Sequence, residues 1–365
     1  MPNRKFIKWF FMSALLGGWL FYFFPFFTDS IYGAWIFPSI RLFFNTLSFV
    51  SPLPLIYFFI LWCVALLGSY IKNKSFFMHS SVSKNILKVG SDLLYFILFI
   101  VATFYWAWGM NYFRTSEAAR FQLEVGAIEQ YRLKEWILSW TEKVNNSRFL
   151  LHFDDDDEIR NYLTQIDLNS DLEKSFYELK NFHDLTSFRH IPVMLWRPKG
   201  LWLRNSTAGF YFPFTGEATL DSGLHPYQIP FTTAHEMAHA VGFTDEGICN
   251  LLALLVCMSA EDEFIKYSGK LALWRYLARE VRRLDPEFYT TIFEEKLSDK
   301  VKNDLRAIHR NSQKYPDWFP GLQRRVYDTY LRAHGVREGI ASYNEVLMLA
   351  ESYFYLFRER ENDVD

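Results

Sequence analysis

The sequence predicts a mainly helical α+β protein in two parts, with transmembrane helices followed by a domain of helices around a small β-sheet. Three observations carry that prediction. Apolar runs free of charge and rich in Phe crowd the N-terminal third. From about Arg114 onward the composition becomes that of an ordinary soluble chain, with charges set among periodic apolar residues. Within this second part, short extended stretches broken by Pro and Gly directly precede an H-E-x-x-H motif at 235–239. Residues 1–112 are therefore expected to form a membrane anchor, and 113–365 a separate domain.

Trp9–Phe27 is a run without a charge, Leu53–Ile71 is a second, and Leu93–Phe113 a third. They predict transmembrane helices over about 9–27, 53–71 and 91–111, each long enough to span a bilayer. The first run stays rich in bulky aromatics to its end and has no small-residue cleavage site, so it reads as a retained anchor and not a signal peptide. Residues 31–50 are also apolar, but Pro38 and Arg41 favour an interfacial segment. Arg4, Lys5 and Lys8 precede the first run, and Lys72, Lys74, Lys84 and Lys88 separate the second from the third. By the positive-inside rule both sets are cytoplasmic, and three crossings place everything after Asn111 outside the cytoplasmic membrane. A fourth crossing at 31–50 would reverse that.

In the second part, Glu117–Asn145 reads as one or two amphipathic helices and Leu172–Phe182 as another. The acidic run Asp154–Asp157 with Glu158 lacks a spaced ligand pattern and reads as a solvated loop and helix cap. Strands are expected at Ile191–Trp196, Gly209–Phe214 and Glu217–Leu220. Helical patterns then fill Glu263–Arg283, Pro286–Leu297, Lys300–Ser312, Gly321–His334 and Tyr343–Phe357. Cys249 and Cys257 fall on one predicted helix, roughly 12 Å apart along its axis, and cannot bridge. A net charge of -2 without a basic stripe gives no support for nucleic-acid binding. The spans lack paired ionisable residues, which argues against a transporter.

On a helix, His235 and His239 stand one turn apart on one face and can aim imidazole nitrogens at one zinc ion, while Glu236 reaches a water beside them. The competing reading makes the two His buried hydrogen-bonding residues and Glu236 a capping-box partner of Thr233. Pro230 with Thr232 and Thr233 supplies a helix start, and Gly242 supplies its stop. Two carboxylates compete to be the third ligand. Asp245 completes H-E-x-x-H-x-x-G-x-x-D, with Gly242 turning the chain back. Glu246 opens the next helix and shares a stripe with Asn250, which would orient a His ligand from behind. Glu246 is the ligand expected, with Asp245 the alternative. Cys249 is expected to be a small buried residue, with a thiolate ligand the alternative reading. Candidate donors for a substrate oxyanion are Tyr327, Tyr330, His334 and Tyr343.

The segments GFYFPFTGEATLD, PFTTAHEMAHAVGF, the N-L-L-A that follows, the distal YDTYLRAHGVREGIASY and W-G-M-N-Y at Trp108–Tyr112 together resemble an uncharacterised bacterial family. Its members are membrane-anchored, H-E-x-x-H-containing zincin-like proteins with three N-terminal membrane helices. The resemblance covers nearly the whole chain and implies a zincin-like metallopeptidase domain in which His235, Glu236, His239, Gly242, Glu246 and Asn250 fall on the family pattern. The family usually has a second acid where this chain has Ile248, and tends to a basic residue where Asp245 stands. Positions 246 and 248 lie about 200° apart on a helix, so the loss of the second acid points to Glu246 as the ligand.

The functional expectation is a membrane-anchored zinc metalloprotease acting on a peptide or protein substrate outside the cytoplasm, with Glu236 as general base. The alternative is a catalytically silent zincin-fold membrane scaffold, or a peptide-binding module that captures an extended segment on the strand Gly209–Phe214.

Overall fold

The computed structural model describes residues 3–51, 53–72, 82–123, 126–153, 155–183, 192–319 and 345–362, with single positions at 321, 325 and 329. The chain divides into two compact units. One comprises Met1–Thr115 and Tyr211–Glu217, the other Ser116–Phe210 and Ala218–Asp365.

In the first unit, helix α1 spans Arg4–Phe23. The short α2, Pro25–Phe27, runs through a π-helical stretch Thr28–Ile36 into α3, Phe37–Val50. Helices α4 (Leu55–Lys72) and α5 (Val82–Ala107) follow. Helices α1 and α5 lie side by side and run in the same direction. Near their starts Arg4 pairs with Asp92 at 2.5 Å, and further along Trp106 Nε1 donates to Ser13 Oγ at 3.1 Å. Trp9, Leu16 and Trp19 on α1 are 76%, 63% and 61% exposed, an apolar surface that water disfavours and a lipid core accepts.

Arg4–Phe23 and Leu87–Ala107 are each long and apolar enough to cross a membrane. Pro25–Val50 and Leu55–Tyr70 qualify as a span only when taken together, as a pair bent by 94°. The expected crossing at 53–71 is thus the second limb of a bent pair, and the expected interfacial segment 31–50 belongs to the first limb.

The turn that joins two strands of the other unit also belongs here. Gly216 has a φ of +67°, and a Cβ at that position would stand 2.6 Å from Phe44 Cβ, so only glycine fits. Buried Arg41 donates to the Gly216 carbonyl and, at 2.8 Å, to Asn45 Oδ1. Glu217 accepts the Leu55 and Ile56 N–H groups at 2.6 and 2.9 Å, satisfying donors that the start of α4 leaves open. Sequence periodicity placed this whole turn in the second unit, because pairing across more than 150 residues leaves no local signal.

The second unit starts with α6 (Glu117–Arg120) and α7 (Gln130–Phe149), then α8 (Asp156–Gln165) and α9 (Leu168–His183). Asp155 caps α8 by accepting the Asp157 and Glu158 N–H groups, which is the capping role expected of the acidic run; Asp154 lies outside the described residues. Strands β1 (Val193–Trp196), β2 (Gly209–Phe212) and β3 (Glu217–Asp221) form a sheet in the order β1-β3-β2. Strand β1 pairs in parallel with β3, Val193 opposite Ala218. Buried Asp221, at the end of β3, accepts backbone N–H groups from Gly200, Trp202, Leu203 and Gly223, which fixes the connection between β1 and β2.

Helix α10 (Ile229–Ala240) follows the sheet, then α11 (Glu246–Ser259), α12 (Glu263–Leu284), α13 (Pro286–Thr291) with a π-helical turn Ile292–Lys296, α14 (Asp299–Gln313) and a last helix Glu345–Asn362. Nearly every side chain of α11 is buried, as an apolar helix requires, and it packs against α9, α10, α12 and the last helix. Apart from the single positions 321, 325 and 329, the predicted helix Gly321–His334 lies outside the described residues, as do the candidate donors Tyr327, Tyr330, His334 and Tyr343.

Candidate metal centre

The H-E-x-x-H motif occupies the last two turns of α10. This helix starts earlier than the threonines suggest. A 3-10 turn Pro226–Gln228, capped by His225, runs directly into it, and Pro230 sits in its first turn, where no N–H partner is needed. Thr233 is inside the helix and returns its hydroxyl to Ile229 O at 2.8 Å, so it forms no capping box with Glu236. Gly242 ends the helix with a φ of +98°. Three residues on, Asp245 caps α11 by accepting the Ile248 N–H at 2.8 Å.

That tight turn brings the first residue of α11 back to the His pair. His235 Nε2 lies 3.3 Å from Glu246 Oε2, and His239 Nε2 lies 3.6 Å from Glu246 Oε1. The two Nε2 atoms are 3.1 Å apart, and one ligand atom from each of the three residues falls within 4.8 Å of the others. Three donors converging at that spacing fit a single ion about 2 Å from each. The ring of His239 is turned for that use. Its Nδ1 faces Phe243 O at 3.0 Å, so the proton belongs on Nδ1 and the Nε2 lone pair points into the cluster. Burial acts to raise the Glu246 carboxyl, but the two His outweigh it and hold it well below the usual carboxylate range.

Of the two competing carboxylates the structure brings in Glu246 and not Asp245, whose side chain is committed to the cap. Burial pushes the Asp245 carboxyl up to about 6 against the Ile248 and Gly247 amides. Ile248 is in the core.

Glu236 is buried beside the cluster, and its Oε2 has no hydrogen-bond partner among the described residues. Burial raises its carboxyl above the ordinary range, with His235 and His239 pulling down and Glu246 pushing up. Strand β2 passes so close that a Cβ on Gly209 would stand 2.8 Å from Glu236 Oε1.

Asn250 does not take the expected place behind a His ligand. Its Oδ1 accepts the Tyr276 hydroxyl at 3.1 Å, while its Nδ2 and His235 Nδ1 are both buried without partners among the described residues. Cys249 packs against the other side of the His239 ring, 3.4 Å from Nδ1, and burial pushes its thiol up to about 12. It is a neutral buried residue and not a thiolate ligand. Sequence reasoning missed Glu117. Its buried carboxylate accepts the Thr244 N–H at 3.1 Å and so pins the turn between α10 and α11. With 127 residues between the partners, spacing offered no clue.

Neither a curated protein nor a solved structure matches the chain. A family model does match, over residues 32–350, nearly the whole chain and the entire site. The chain belongs to that family, described as proteins of unknown function (DUF3810).

Proposed function

We propose that this protein is a membrane-anchored zinc metalloprotease that hydrolyses peptide bonds outside the cytoplasm. The observation that carries the proposal is the convergence of His235, His239 and Glu246 within 4.8 Å beside a buried Glu236 oxygen that has no partner among the described residues. His235, His239 and Glu246 would hold zinc, which would supply Lewis-acid polarisation of a scissile carbonyl and acidify water. Glu236 takes the proton of the attacking water through its free oxygen and passes it to the leaving amine. Burial shifts its carboxyl upward, the direction that suits a group which both accepts and returns a proton. Phe243 O holds the His239 tautomer, and Glu117 holds the turn that carries Phe243 and Glu246.

The parallel pair α1 and α5 supports the topology proposed. If both cross the membrane in the same direction, the chain must return between them, and Leu55–Tyr70 is the apolar helix available for that crossing. Three crossings with Arg4, Lys5, Lys8, Lys72 and Lys88 on the cytoplasmic side put the metal centre outside.

A second reading, a silent scaffold or peptide-binding module, is favoured by one feature: β2 is an edge strand, able to pair with an extended peptide. The test is elemental analysis and peptide hydrolysis on the purified full chain. About one zinc per chain, lost in His239→Ala and Glu246→Ala but kept in Asp245→Ala, is expected. Glu236→Gln is expected to keep the zinc and lose turnover by about 10²–10⁴-fold. Folded protein that takes up no zinc, or undiminished hydrolysis in Glu236→Gln, leaves the scaffold reading in place.

A further inference from the structure

Helix α12 carries a stripe that faces α10 and α11. Ser268 Oγ accepts the Phe231 N–H of α10 at 3.1 Å, and Tyr276 donates to Asn250 of α11 at 3.1 Å. Asn250 stands one turn beyond Glu246, so the Tyr276 end of the stripe borders the metal centre. Electrostatics agree: burial pushes the Tyr276 phenol up to about 12, and the Glu246 charge contributes in the same direction against Arg275 and Arg279.

Arg275 follows Ser268 by seven residues, two helical turns, and lies on the same stripe. It is half-buried and so still reached by water. Protein encloses it closely enough that burial holds its guanidinium below the ordinary value, with Tyr276 opposing and Arg279 adding to the effect. Among the described residues it has no ion pair, hydrogen bond or ring contact apart from these neighbours' charges. Other enclosed arginines each reach an acceptor, although the Arg41 Nε has none among the described residues. Arg41 meets Gly216 O and Asn45, Arg114 meets Asp29, and Arg148 meets Asp304 with two backbone carbonyls. A partly desolvated guanidinium with no anion is unfavourable, and a carboxylate accepted by its planar fork would offset that cost.

We propose that Arg275 is a carboxylate receptor beside the metal centre, so that the preferred substrate is a peptide carrying a carboxylate close to the scissile bond. The position of that bond rests on the hydrolase reading; the recognition of the carboxylate does not. Two sources share this chemistry, a free C-terminal α-carboxylate and an acidic side chain, and the test separates them.

The full chain is taken in detergent as the Glu236→Gln variant, with zinc added, and titrated with three matched hexapeptides. One has a free C-terminus, one is amidated, and one is amidated with Asp as its last residue. Either carboxylate-bearing peptide is expected to bind about 10-fold tighter than the plain amide, and which one does so names the source. Arg275→Gln in the same background should bring the ratio to about one with zinc content unchanged, while Arg275→Lys retains part of it. Equal affinity for all three peptides, no measurable binding of any, or a preference that survives Arg275→Gln overturns the proposal. If Arg275→Gln does not fold, full preference in Arg275→Lys overturns it as well, because a point charge cannot replace the fork. A preference that depends on Arg275 in a chain that neither holds zinc nor cleaves peptides would keep the receptor and sink the hydrolase reading alone.

Discussion

Two buried clusters of ionisable side chains lie in the second unit, and they differ in what each leaves over. In the first, Arg148 on α7 bonds Asp304 on α14 at 2.6 Å and two carbonyls, while Tyr267 on α12 donates to the same Asp304 oxygen at 2.6 Å. Three helices are tied together and no donor is idle. In the second, around His235, His239 and Glu246, the buried Glu236 Oε2, His235 Nδ1 and Asn250 Nδ2 lack partners among the described residues. Folding rarely tolerates such orphans, because each keeps its desolvation cost without a bond to offset it. A satisfied cluster is explained by the fold it supports. An unsatisfied one, built from a metal-ligand residue set, calls for a ligand.

The largest effect that separates the two clusters is on stability. Asp304→Ala strands the buried Arg148 guanidinium and is expected to cost about 3–5 kcal/mol in denaturant unfolding of the detergent-solubilised chain. Glu236→Gln removes a buried charge that has no cation of its own, and is expected to leave stability unchanged or raise it. Tolerance of the first change together with unfolding by the second would invert the assignment of roles.

His225 extends the satisfied cluster, stacking on Tyr227 with its ring 5.3 Å away and facing Asp156 at 3.2 Å. Burial lowers its pKa to about 4, Asp156 opposing and Arg160 and Lys314 assisting. Between that value and an unfolded value near 6.5 the unfolded chain binds more protons, so stability rises with pH across the window and is lost as pH falls through it. The full swing is about 3 kcal/mol, and His225→Gln should flatten it. A slope of stability between pH 4 and 6.5 that is unchanged in His225→Gln would assign the pH dependence elsewhere.

What was legible in the sequence was what repeats locally. The i, i+4 pair on α10, the turn at Gly242, the extended stretches and the capping acid at Asp155 all announce themselves within a few residues. Charge-free runs marked α1 and α5 for the same reason. Side chains that act across the fold left no such mark. Glu117 reaches Thr244, Glu217 reaches the start of α4, and Tyr276 claims the Asn250 oxygen that had been expected to serve a His ligand. Thr233 shows the opposite failure: a strong local signal for a helix start was overridden, because a 3-10 turn had already begun the helix. The choice between Asp245 and Glu246 depended on which residue the helix start would consume as its cap, and adjacent acids look alike until that is known.

The smallest expected effect sharpens that choice. Asp245 is bound to the Ile248 N–H, so Asp245→Ala loses an N-cap at a cost of about 1 kcal/mol. Because burial already disfavours its charged form, the measured loss should be smaller above pH 6, where the native cap must carry that charge. Glu246→Ala removes no cap, since its neighbour still supplies one. It does remove a carboxylate that the two imidazoles hold in its charged form, so its cost to melting in metal-free buffer should exceed that of Asp245→Ala. Adding zinc is expected to raise the melting temperatures of the wild type and Asp245→Ala alike, and to leave Glu246→Ala unmoved. Equal responses of the two variants to zinc would mean that the helix start, and not the carboxylate at 246, is what the metal needs.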